Sequence, residues 1–157
     1  MEKELISIEA AEKEWSEFLA DNDARSLIPD ESLKSSKIKE DREDYQSKKT
    51  GFDKVVRAIS RGMVVIENGV IIQKLQYPIS GKDSGQMVVD KLVFDKRWTV
   101  KDRTEIFKNV ETGDLSQFFM AQTRFCAKIT GIDQIILQRL DSIDFKITDQ
   151  IVSVFFM

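Results

Sequence analysis

The sequence predicts an α+β fold: a small three-stranded antiparallel sheet with a flanking helix, followed by a helical C-terminal half. Three observations lead there. Two β-branched runs in "MVVIENGVIIQKLQYPI" flank Asn68-Gly69, and both turn positions tolerate positive φ, the signature of a two-residue hairpin. A third run, "QMVVDKLVF", alternates as a strand, with Val89 and Lys91 on the opposite side from Val88 and Leu92. From Thr99 onward, apolar residues recur at helical spacing as far as Phe155.

Composition suits such a domain. The chain has 157 residues, 41% of them hydrophobic and 32% charged, enough for one core that buries ~70% of the extended surface. A net charge of -3 sets up no strong field toward nucleic acid or an anionic membrane. No run approaches the ~18–20 apolar residues of a membrane span. The start, "MEKELISIEAAEKEW", lacks the basic and apolar regions of a signal peptide, so a cytoplasmic protein is expected. There is no histidine and one cysteine, Cys126. The commonest general base and zinc ligand is therefore missing, and neither an intramolecular disulfide nor a cysteine-rich metal site can form. These absences favour a binding protein over an enzyme and call for no cofactor or metal, while leaving carboxylate and lysine chemistry open.

The elements follow in order. Ile8, Ala11, Trp15, Phe18 and Leu19 share one helical face, with Ser7 as N-cap and Asp21-Asn22-Asp23 as the break. A helix that short is marginal alone and must dock on something. Residues 29–50 crowd charges of both signs around Leu33, Ile38 and Tyr45, and read as a solvated linker or an exposed helix. Residues 1–50 are thus expected as a helix plus charged tether, and residues 51–157 as the α+β domain.

That domain opens with Phe52, Val55, Val56 and Ile59 in a helical stripe. Thr50 with Asp53 resembles a capping box, and Gly62 stands at the C-terminal cap. This helix is the expected cover for the sheet. Pro78 should end the second strand or confine it to an edge. Helices are then expected from Thr99, from Asp114 (cap) to Gly131 (terminator), over "IDQIILQRL", and over the last residues, where Ile143, Ile147, Ile151, Val154 and Phe155 form one stripe.

Motifs that suggest chemistry are weak. "SGKDSG" is not a phosphate loop, since G-x-x-x-x-G-K-[ST] is absent, and it reads as a turn. Asp141 and Asp144 fall at a helix start, where capping explains a carboxylate. The acidic runs lack EF-hand spacing. Lys96, Arg97, Lys101 and Arg103 surround Trp98, a pattern that can stack single-stranded bases; Asp95 and Asp102 halve the charge, and Trp98 reads as a sheet-to-helix anchor. Cys126 lies within a helical pattern and reads as a small hydrophobe.

What remains is aromatic surface. The chain has ten phenylalanines, with doublets at Phe118-Phe119 and Phe155-Phe156. Neighbours on a helix point about 100° apart, so one ring of each doublet either widens the core face or meets a partner. Of the closing "IVSVFFM", Ile151, Val154 and Phe155 fit a docked helix, whereas Phe156 and Met157 lie off its stripe. The candidate partner-binding residues are Phe118, Phe119, Phe125, Val154, Phe155, Phe156 and Met157.

The order of short motifs is similar to that of the tail assembly chaperones of long-tailed bacteriophages. Those sequences read roughly as strand-Leu-x-x-Pro, strand-Arg, helix-Thr-Gly, Leu-x-x-x-Asp and helix-Phe. The matching positions are Leu75 and Pro78, Arg97 and Asp102, Thr130 and Gly131, Leu140 and Asp144, then Phe155. The resemblance covers about residues 52–157, and the first ~50 residues depart from the pattern. It implies a cytoplasmic, self-associating chaperone in an infected or lysogenic bacterium. Such a protein binds apolar helical segments of the tape measure protein, keeps them soluble, and is absent from the finished virion. No nucleic acid or membrane partner is implied. A structural tail component, of tube or terminator type, is the second reading, and a small nucleic-acid-binding regulator the third.

Overall fold

The computed structural model describes residues 5–80, 89–108, 110–111 and 113–155; most of the turn expected at "SGKDSG", the expected strand position of Val88, and Phe156 and Met157 lie outside them. Helix α1 (Ile8–Asp21) starts where Ser7 accepts a hydrogen bond from the Ala10 N–H, 3.1 Å. It ends at Asn22, with Asp23 in the left-handed region at φ 57°. It buries Ala11, Trp15, Phe18 and Leu19, the three large ones worth ~1.5–3 kcal/mol each relative to exposure. These side chains join the same buried cluster as the inner face of the sheet.

The charged stretch takes the helical form. Two short 3-10 turns, Arg25–Leu27 and Glu31–Leu33, lead into α2 (Lys39–Gly51). Only Tyr45 of α2 is buried, and its hydroxyl donates to Glu31. Ion pairs Lys39–Glu43 and Asp44–Lys48 support its solvated face. Lys49 reaches back to Glu12 of α1 at 2.6 Å.

Helix α3 (Asp53–Ser60) follows after a break at Phe52. The capping box expected of Thr50 and Asp53 does not form. Because α2 runs through Thr50, that hydroxyl bonds back to the Gln46 and Ser47 carbonyls, and Asp53 accepts from Gln150 instead. The other end matches expectation: Gly62, at φ 74°, donates to the Ile59 carbonyl while Met63 donates to Ala58, the paired bonds of a Schellman cap. α1 packs on α3.

Strands β1 (Val64–Glu67), β2 (Val70–Ile79) and β3 (Val89–Phe94) form an antiparallel sheet in the order β1-β2-β3. Asn68 and Gly69 sit at φ 52° and 77°, both left-handed as a type I′ turn requires. Two cross-strand rows face inward, Val64–Gln73–Leu92 and Ile66–Ile71–Phe94. Pro78 neither ends β2 nor lies on an edge strand. β2 is central, and between Lys74 and Ile79 its register with β3 slips, five residues of β2 against two of β3 (Lys91 to Val89). A bulge tolerates the missing N–H.

Helices α4 (Val100–Phe107), α5 (Leu115–Thr130), α6 (Gln134–Leu137) and α7 (Ser142–Phe155) complete the chain. The sheet's cover is shared: α3 lies by β1, α7 on β2 and α5 on β3. The expected stripe of α7 holds at Ile147, Ile151, Val154 and Phe155, which are buried or pack on the core, and fails at Ile143. Asp144, Thr148, Ile151, Val152 and Val154 are buried, whereas Ile143 is 46% exposed. Nor does Asp144 cap its own helix; Asp141 accepts from the Ile143 N–H there. The Asp144 carboxylate instead accepts the Gln76 N–H at 2.8 Å and the Tyr77 N–H at 2.9 Å. Beside it, Thr148 Oγ1 donates to Gln73 Oε1, and Gln73 Nε2 donates to the Asp144 carbonyl. The buried polar groups of the inner face thus satisfy one another.

Candidate partner-binding surface

The elbow between α4 and α5 carries the main exposed apolar surface among the sequence candidates. Thr99 and Asp102 close a capping box that starts α4. Asp102 also pairs with Lys128 of α5 at 3.3 Å, holding the two helices together. The Thr99 N–H, assisted by Lys128, holds the Asp102 carboxyl below its ordinary value against the opposing effect of burial. Trp98 leans on Phe125 with ring centroids 5.6 Å apart, and the Arg103 guanidinium covers the indole at 5.9 Å. Trp98 is therefore engaged as the sheet-to-helix anchor, with one face shielded from any stacking base.

Asp114 caps α5 through the Gln117 N–H at 3.1 Å. The first turns of α5 then present Leu115, Phe118 and Phe119, spaced i, i+3 and i+4 and so on one face. They are 71%, 42% and 51% exposed, and the adjacent Met120 is 42% exposed. Phe107, Val110, Leu115 and Phe118 wall a cleft of about 420 Å³ where the helices meet, with Glu111 and Asp114 at its rim.

The second half of α5 turns inward. Phe125 and Ile129 are fully buried, and burial pushes the Cys126 thiol up to about 12, leaving it without thiolate character at neutral pH. Phe125 and Val154 therefore belong to the core, Phe125 where β3 and α7 cover α5 and Val154 on the inward face of α7, and neither offers a docking surface in this fold. Phe155 is half-buried against the core. Of the seven candidates, Phe118 and Phe119 keep large exposed areas side by side. Sequence reasoning missed Leu115 and Met120 beside them, though Leu115 lies on the helical face of Phe118 and Phe119.

Between α5 and α7, Gln122 Nε2 donates to Asp149 Oδ1 at 2.8 Å, while Gln122 Oε1 is buried without a partner. Burial raises the Asp149 pKa despite that hydrogen bond. Among the described residues, no group of three or more Cys, Asp or Glu side chains is placed to hold a metal ion, and no helix is long and apolar enough to cross a membrane.

No protein-family model matches the chain, and neither a curated protein nor a solved structure matches it. The likeness to phage tail assembly chaperones rests on the order of its short motifs.

Proposed function

We propose that the protein is a non-enzymatic assembly chaperone that holds an apolar helical segment of a partner against the α4–α5 elbow. The observation that carries this reading is the contiguous exposed set Leu115, Phe118, Phe119 and Met120 beside an apolar cleft. Neighbouring large hydrophobics left in water mark a protein contact, and an elbow between helices suits an amphipathic helix laid along it. The motif resemblance supplies the identity of the partner: the tape measure protein of a long-tailed phage or prophage. The protein then acts in the bacterial cytoplasm as a homo-oligomer and is left out of the finished virion.

Co-expression with fragments of that partner tests the reading. The wild-type chain is expected to keep a fragment soluble and to co-purify with it, and Phe118→Asp with Phe119→Asp to release it while the fold persists. Retention of the chain in purified tails would instead identify a structural component. Unchanged capture by the double variant would remove the elbow as the working surface.

A further inference from the structure

A second cleft, of about 430 Å³, lies beneath α1, between Ile28–Glu31 and the junction of α2 with α3. Its volume falls within the ~300–1,000 Å³ of small-molecule sites. Ile8, Trp15, Leu19, Ile28, Phe52 and Val56 make its walls apolar. Trp15 is held rigidly there, its ring 5.2 Å from both Phe18 and Phe52.

Two donors on residues that line this cleft lack acceptors. Trp15 is 3% exposed, and its indole Nε1 is buried with no hydrogen-bond partner. An indole nitrogen can only donate, and leaving it unmet costs about 1–3 kcal/mol. The second donor is Arg57 at the rim. The other rim charges are committed: Lys49 to Glu12, Lys48 to Asp44, Glu31 to the Tyr45 hydroxyl, and Asp53 to Gln150. The Arg57 guanidinium makes no hydrogen bond or ion pair among the described residues and feels Asp53 only through space. An apolar chamber with an uncommitted cation at its rim selects a ligand with a hydrocarbon body and an anionic end.

We propose that the cleft beneath α1 is a binding site for a small apolar carboxylate, its body against Trp15, Leu19, Phe52 and Val56 and its charged end toward Arg57. The site is separate from the α4–α5 elbow, so its loss leaves the chaperone reading untouched.

Calorimetric titration of the full chain with naphthalene-1-acetate, and with the neutral naphthalene-1-acetamide, tests the assignment. Saturable one-to-one binding is expected, with the carboxylate preferred. Arg57→Gln, at an exposed position, should weaken the carboxylate about two- to five-fold, as for a solvent-facing ion pair, and leave the amide unchanged. Trp15→Phe keeps the aromatic wall and removes only an N–H that is buried away from the cleft, so it should change either affinity by less than about two-fold. Absence of saturable binding to the folded wild-type chain, equal affinity for the two probes, or indifference to Arg57→Gln would each overturn the proposal.

Discussion

The Asp144 carboxylate on α7 accepts the backbone N–H of Gln76 on β2 at 2.8 Å, and its other oxygen accepts the next N–H, from Tyr77. Successive N–H groups of a regular strand point to opposite sides, so one carboxylate can collect two of them only where the strand is bulged. The slip between Lys74 and Ile79 supplies that geometry. Asp144 thus stands in for the ladder partner that β2 lacks ahead of Pro78.

Removing it should be costly for a surface-distant reason. Asp144→Ala leaves two part-buried N–H groups unpaired, and we expect a loss of about 2–4 kcal/mol in urea unfolding. A loss below about 0.5 kcal/mol would show that water replaces the carboxylate freely.

Gln73 and Thr148 should behave as a unit. Either Gln73→Leu or Thr148→Val alone strands a buried polar partner and should cost about 1–3 kcal/mol. The double variant should cost less than the sum of the two, because both partners leave together. Strict additivity in the double-mutant cycle would contradict the 2.8 Å bond between them.

Asp149 provides a pH signature. Its folded pKa is raised by burial, so the folded state binds this proton more tightly than the unfolded chain does. Its contribution to stability is therefore present at acid pH and is lost as pH rises through the raised value. Asp149→Asn should stabilise the protein at neutral pH by about 0.5–1 kcal/mol, since an amide can accept from Gln122 Nε2 and also donate to the unmet Oε1. That advantage should shrink as pH falls toward 4, and thermal melts across pH 4–8 would show the convergence. A pH-independent difference would point away from the carboxyl as its source.

The two halves of α5 should separate by experiment. Phe125→Ala empties a fully buried site and should cost about 3–5 kcal/mol. Phe119→Ser, half exposed, should change stability by no more than about 1 kcal/mol. If Phe119→Ser proved as damaging as Phe125→Ala, the exposed face would be part of the packing rather than free to dock.

Local signals are legible in the sequence. Ser7, Thr99 and Asp114 cap the helices they precede, Asn68-Gly69 turns the hairpin, and Gly131 ends α5 at φ 73°. Each needs only neighbours within a few residues. The misreadings concern groups whose partners lie far along the chain. Asp144 resembles an N-terminal cap from its position, yet serves residues 67 and 68 positions away. That duty, with Thr148 bonding Gln73, adds a polar pair to the buried face of α7 and leaves Ile143 of the aliphatic stripe outside it. At the elbow, periodicity places Phe118 and Phe125 on the same helix but cannot say which turns lie beneath α7 and the sheet. The cleft beneath α1 left no sequence signal, because its walls come from three separate segments.

The bond from Asp144 to β2 also sets an order of events during synthesis. When Tyr77 leaves the ribosome, the residue that will satisfy its N–H is still 67 codons away. At about 5–20 residues per second, that is a wait of roughly 3–13 s. β3 follows soon after and pairs with β2, but the face of β2 that α7 covers stays open through that interval. The sheet of this protein is therefore covered late, by a helix made well after its strands.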